Sequence, residues 1–140
     1  MPSTKEQNAV DKLRAGAPKF IELLGGRLLT VDFETQSCTF EFNVSTDFCH
    51  SVDIVQGGFT TAMLDAAMSH VVYACDDSVK GLSSLEIKTS YLDVTRAGVL
   101  RAEGYIVKAG YKTAFLEGRL YNAEGVLCAT ASSVAKISRK

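Results

Sequence analysis

The stretch Gly58-Phe-Thr-Thr-Ala-Met-Leu-Asp-Ala-Ala-Met-Ser-His-Val-Val-Tyr-Ala-Cys75 decides how the rest of the chain must fold. It is rich in Ala, Met and Leu, holds no Pro and no internal Gly, and is too long for one strand, so it predicts a helix. On a helical wheel Thr61, Asp65 and Ser69 fall at i, i+4 and i+8, one narrow polar stripe on a surface otherwise apolar. Such a helix must be covered on most sides.

The cover has to come from the flanking segments. Downstream, Ser84 to Leu92, Val99 to Lys108, Thr113 to Tyr121 and Val126 to Ile137 have strand composition. In the second of these, Leu100, Ala102, Gly104 and Ile106 alternate with Arg101, Glu103, Tyr105 and Val107. Turn signals at Arg96-Ala-Gly98, Ala109-Gly110 and Asn122-Ala-Glu-Gly125 predict antiparallel pairing of consecutive strands. Upstream, Arg27 to Val44 reads as a hairpin split by Glu34-Thr35-Gln36-Ser37. Before it lie a short amphipathic helix over Thr4 to Ala17, capped by Thr4, and a second helical turn from Phe20 to Leu24 closed by Gly25-Gly26. The expected organisation is an N-terminal helical lead, residues 1–26, packed on a single domain, residues 27–140. This is an α+β arrangement in which a curved antiparallel sheet wraps one long central helix.

Composition excludes several functional classes. With 140 residues, 15 Lys plus Arg against 16 Asp plus Glu, and 46% apolar residues, the chain suits one domain that needs no disulfide or metal staple. It lacks the basic patch that a phosphate backbone or an anionic membrane would require, so no nucleic acid and no membrane partner is expected. Asp65 and His70 interrupt the longest apolar run, and Met-Pro-Ser-Thr-Lys-Glu-Gln opens the chain without an apolar signal core, which points to a cytoplasmic protein. Cys38, Cys49, Cys75 and Cys128 match no metal or redox spacing, so they are expected as buried reduced thiols, with no metal site and no cofactor.

Asp65 is the residue hardest to explain as packing. A carboxylate is almost never fully buried unless paired, so it either lies on an exposed stripe, meets a cation, or has work to do. Just upstream, Val55-Gln-Gly-Gly-Phe59 leads into the helix. Two glycines at a helix start permit close backbone approach, and the free N–H groups there can receive an oxygen that develops negative charge; an ordinary turn is the competing reading. Gly57 and Gly58 precede Asp65 by eight and seven residues, about 11–12 Å along a helix axis. One chain therefore cannot place both at the same reacting carbon, and if both take part a second copy must supply one of them. His50 can exchange a proton near neutral pH. His70 is expected to pack, and Ser83 and Ser84 could hold a water.

The ordered set Gln56-Gly57-Gly58-x6-Asp65, Gly81-Leu-Ser-Ser-Leu-Glu-Ile-Lys-Thr-Ser-Tyr-Leu92, Gly98, Val107-Lys-Ala-Gly-Tyr-Lys112, Glu124-Gly125 and Ala129-Thr-Ala131 resembles the hot-dog fold acyl-CoA thioesterases of the phenylacetate-degradation (PaaI-like) group. The likeness runs from about Arg27 to Ile137. It implies acyl-CoA hydrolysis at the interface of a homodimer, often paired again as a homotetramer. In that family the position of Asp65 activates water or attacks the thioester carbonyl, and the Gly57 N–H of the opposing chain polarises the carbonyl oxygen. His50 stands where the family has an amide, and Gln56 where it has His, so the two side chains have exchanged places; both donate hydrogen bonds. Ser84, with Ser83 as the neighbouring alternative, matches the hydroxyl that steadies the water. Gly58 and Phe59 are expected beside the substrate, and Arg96, Lys108 and Lys112 are candidates for the CoA phosphates.

Two other readings stay open at this stage. A hot-dog hydratase or dehydratase would pair His50 with Asp65, though the Pro-Gly pattern before its helix is missing. A non-catalytic acyl-CoA-binding protein would explain the exchanged Gln56 and His50. The acyl group is not legible from spacing.

Overall fold

The apolar segment is a helix, α3, running Gly57–Cys75, and ten of its 19 residues are buried. Met63, Leu64, Ala67, Met68 and Val71 retain no exposure. Burial of each large side chain stabilises the fold by about 1.5–3 kcal/mol, and truncating Leu64 to Ala would cost about 2–5 kcal/mol.

The computed structural model describes every residue from Met1 to Lys140. Ahead of α3 come α1 (Thr4–Ala15), α2 (Lys19–Leu23), β1 (Gly26–Asp32), β2 (Ser37–Val44) and a short pair, β3 (Cys49–Ser51) with β4 (Ile54–Val55). After it come β5 (Val79–Tyr91), β6 (Gly98–Ala109), β7 (Thr113–Tyr121) and β8 (Leu127–Arg139). Six strands form one antiparallel sheet in the order β1-β2-β6-β7-β8-β5, curved around α3. The alternation read in β6 holds: Leu100 and Ala102 face the core. Under α3 the sheet carries a glycine pair, Gly104 opposite Gly118. A Cβ at Gly104 would lie 2.2 Å from the Ala67 carbonyl oxygen, so only glycine lets the helix seat this deeply.

Three expectations need correction. Of the strands after α3, β6–β7 and β7–β8 pair antiparallel in sequence order as expected, but β5 and β6 do not: β5 pairs with β8 at the edge, and β6 crosses to β2. Leu92 to Ala97 is a tethered crossing, because Leu92 and Asp93 N–H donate to the Cys128 carbonyl and Ala97 N–H donates to that of Asp53. β6 and β2 suit each other, with Phe40 opposite Ala102. Helix α1 is capped by Ser3, not Thr4, through a reciprocal box with Glu6. Only Cys38 and Cys128 are buried; Cys49 and Cys75 are half-buried, and no disulfide forms. The β3–β4 pair was invisible in the sequence, since strands of three and two residues carry no periodicity.

The lead joins the same core. Val10 of α1, Ile21 of α2 and Leu24 are buried in it. No helix is long and apolar enough to cross a membrane.

Candidate active site

Asp65 is half-buried on α3, where the helix passes under the edge strand β5. Ser84 of β5 donates to Asp65 Oδ1 at 2.9 Å, and Ser69, one turn along the helix, approaches the same oxygen at 3.4 Å. No Lys or Arg pairs with it, since the only two ion pairs are Arg96–Asp53 and Arg139–Asp76. The carboxylate is thus oriented by hydroxyls through one oxygen, with Oδ2 unengaged. Ser83 pairs with Lys136 in the ladder and by strand alternation projects to the opposite face, which separates it from Ser84.

The helix start is held differently. Gln56 is the N-cap, and its side-chain oxygen accepts the Gly58 N–H at 2.7 Å. The Gln56 N–H donates to the Phe48 carbonyl, and Phe59 and Thr60 N–H return to the Gln56 carbonyl. Gly57 N–H is left as the one donor of this turn with no partner in the chain. It sits at the positive end of a 19-residue helix. Tyr91 of β5 donates to the Gly57 carbonyl at 2.7 Å, Thr61 lies 3.1 Å from the Tyr91 hydroxyl, and Thr89 lies 2.8 Å from Thr61. Each hydroxyl has one proton, so the direction is Thr89 to Thr61 to Tyr91 to Gly57 carbonyl. Strand β5 therefore touches α3 twice, at Ser84–Asp65 and at Tyr91–Gly57.

A hollow of about 550 Å³ opens beside the helix start, lined by His50, Gly57, Thr60, Tyr91, Leu92 and Thr95. The hydroxyls of Thr60 and Thr95 are buried there without hydrogen-bond partners. His50 is exposed on β3, with Nδ1 2.7 Å from the Ser51 hydroxyl. Phe59 lies edge-on to Phe48, ring centroids 4.9 Å apart. Arg96 is tied to Asp53 at 2.7 Å on the rim of the β3–β4 pair. Lys108 near the end of β6 and Lys112 in the following turn line neither this hollow nor the cleft at Asp65.

Sequence reading missed Thr89 and Tyr91. Their i, i+2 spacing on β5 was the available signal, placing both on the helix-facing side.

A carboxylate oriented by a strand hydroxyl, together with a free N–H at a glycine helix start, is equipped for attack on a carbonyl and for holding the resulting oxyanion. Comparison with known proteins agrees. The thioesterase superfamily matches residues 53–129, more than half of the chain. The phenylacetic acid degradation-related protein of Ralstonia eutropha JMP134 is 30% identical, with a TM-score of 0.83 over 91% of this chain and 98% of that one. The E. coli PaaI protein of the phenylacetic acid degradation operon shares 13% identity and a TM-score of 0.83 over 96% of each chain, a likeness of fold. A hypothetical thioesterase of Streptococcus pneumoniae TIGR4, solved with coenzyme A, shares 16% identity and a TM-score of 0.73, covering 82% of this chain and 87% of that one. The curated protein sequences give no match. The fold is the hot-dog fold. The chain belongs to the thioesterase superfamily, in its PaaI-like group, and its reaction is thioester hydrolysis.

Proposed function

We propose that the protein is a cytoplasmic acyl-CoA thioesterase whose active sites form between two copies of the chain. The observation that carries this reading is the separation of its two halves. Gly57 and Asp65 lie eight residues apart on one helix, about 12 Å, so a single chain cannot flank one carbonyl with both.

The edge strand supplies the remedy. On β5 the Ser84 end lies at Asp65 and the Tyr91 end lies at Gly57. Antiparallel pairing of β5 with its own copy about a two-fold axis sets one chain's Ser84 end against the other's Tyr91 end. Asp65 then faces Gly57 of the partner subunit, twice per dimer. Leu85, Tyr91, Leu92 and Val94 are all exposed along this edge, an apolar surface that pairing would cover.

In the reaction, Asp65 Oδ2 takes a proton from water as the water oxygen bonds to the thioester carbon. The carbonyl oxygen becomes an oxyanion held by Gly57 N–H of the partner subunit; the carbon–sulfur bond then breaks, and the thiolate of CoA leaves and is protonated. Ser84 holds Oδ1 and so aims Oδ2. Gln56 acts as the cap that fixes Gly57, and its oxygen occupies the Gly58 N–H. His50 and Arg96 sit on the Gly57 side, where the CoA arm would pass, and the CoA-bound structure of the Streptococcus pneumoniae relative supports that class of substrate.

The test mixes two dead enzymes. Asp65→Asn should lower thiol release from acyl-CoAs about 10²- to 10⁴-fold. Gly57→Pro removes the free N–H at a position where proline suits a helix start, and should cost about 10²- to 10³-fold. Mixed and re-equilibrated, the two variants form heterodimers with one intact site, and activity should return to about a quarter of wild type. No recovery would place both groups in one chain's site and overturn the shared-site reading.

A further inference from the structure

Beyond Asp65, α3 faces a groove of about 510 Å³ whose other wall is the N-terminal lead. Asp65 stands at its head, Tyr73 lines it two helical turns on, and Lys12 of α1 reaches its far mouth. The wall across from the helix is apolar, made by Leu13, Pro18 and Phe20. The floor is His70, only 9% exposed. Its Nδ1–H donates to the Ala66 carbonyl at 2.8 Å, and its ring stands edge-on to Phe40. Burial holds the imidazole below its ordinary pKa, so it is neutral at neutral pH. The groove therefore starts at the attacking carboxylate and runs over a buried, uncharged surface for about 12 Å.

A thioester attacked at Asp65 has two substituents to place. The coenzyme arm carries amides and phosphates and gains nothing in an apolar slot, whereas a hydrocarbon does. We propose that this groove binds the acyl group of the thioester, a saturated or single-ring acyl group about two helical turns long, and that Phe20 is its specificity-determining wall. The proposal rests on the hydrolase reading above for the identity of the group that reaches Asp65. Acyl groups longer than the groove would emerge beside Lys12 and bury no further surface, so kcat/KM should rise from acetyl- to octanoyl-CoA and level off at palmitoyl-CoA.

Two variants test it. Phe20 is 43% exposed, so Phe20→Ala leaves the core intact. The ratio of kcat/KM for octanoyl-CoA over acetyl-CoA should fall about tenfold, most of the loss falling on the octanoyl value. A merely structural role would lower both together, and an unchanged ratio in an enzyme that still hydrolyses both thioesters would overturn the acyl assignment while leaving the hydrolase reading standing. The second readout needs no turnover. The chain has no tryptophan, so Phe20→Trp makes a single reporter. Octanoyl-CoA added in an Asp65→Asn background should shift its emission to the blue, while Phe33→Trp, on the separate groove beside α1, should not respond. If the wild-type protein hydrolysed no acyl-CoA, the hydrolase reading would fail by itself, and emission of Phe20→Trp titrated with octanoate would decide the groove alone: a blue shift supports it and an unmoved spectrum sinks it.

Discussion

The two edges of the sheet are treated differently. Strand β1 is seven residues long and lies against the lead. Arg14 of α1 donates to the Leu28 carbonyl at 2.7 Å, and the Glu6 carboxylate accepts the Phe33 N–H at 2.8 Å. Strand β5 is 13 residues long, and its outer side faces nothing within the chain. Long, bare, partly apolar edges invite pairing with another strand, and proteins that must avoid it shorten, charge or cover them. Here one edge is covered and the other is left open beside the Asp65 carboxylate, which is what an enzyme needs if its site is completed by a second copy.

The sharpest way to break this contrast is to charge the open edge. Leu85 is 63% exposed on β5, so Leu85→Lys does not disturb the monomer fold while placing there the residue that sheets use to stop edge pairing. Sedimentation should change from two or more chains to one, and thiol release should fall about 10²- to 10³-fold as the partner's oxyanion donor is lost. A single-chain species with undiminished hydrolysis would contradict the two-copy site. A smaller effect is expected where the edge meets the carboxylate. Ser84→Ala removes one hydrogen bond to a charged group, worth about 1.5–3 kcal/mol, so kcat should drop about 10- to 150-fold. KM should stay put, because Ser84 positions Asp65 and need not hold the acyl group; a change in KM alone would reassign it to binding.

What the sequence disclosed follows the same division. The core was legible because α3 is apolar nearly all round and the strands alternate, and periodicity reports faces directly. The β5–β8 and β2–β6 neighbours were not, since turns report only hairpins, and alternation in β5 and β6 says which side is buried but not which strand lies alongside. Asp65 stood out as a carboxylate among Ala, Leu and Met, whereas Ser84 looked like any strand serine that could hold a water, and only the family resemblance set it ahead of Ser83. The spacing of Thr89 and Tyr91 could show only that they share a face of β5, because their role depends on a helix start more than 30 residues upstream, bridged by Thr61. Phe20 could be assigned to a helix but not to a groove, because the groove exists only once the lead has docked across α3. Among the cations, charge alone chose Arg96, Lys108 and Lys112, and folding engages Arg96 with Asp53.

The open edge is also anchored at its beginning, and breaking that anchor is the mildest of the expected effects. Asp76 follows α3 and accepts from the Ser78 side chain at 2.6 Å and from Arg139 of β8 at 2.6 Å. Arg139 also donates to the Tyr111 and Gly110 carbonyls, so β5 is fastened to the β6–β7 turn where it leaves the helix. The Ser78 hydroxyl, and after it Arg139, hold the Asp76 carboxyl down from its ordinary 3.8 to about 2. A carboxyl with a depressed folded-state pKa contributes stability at pH values above its unfolded pKa and loses it as pH falls through the folded one, here between 3.8 and about 2. The Asp76 side chain is 37% exposed, so water screens the pair and the contribution is at most about 1 kcal/mol. Denaturant melts of wild type and Asp76→Asn should therefore differ by that amount at neutral pH, converge through this acid window and coincide below it. A difference that persisted unchanged at the acid end would mean that the carboxylate charge does not fasten the strand, and that β5 is held at its start by packing.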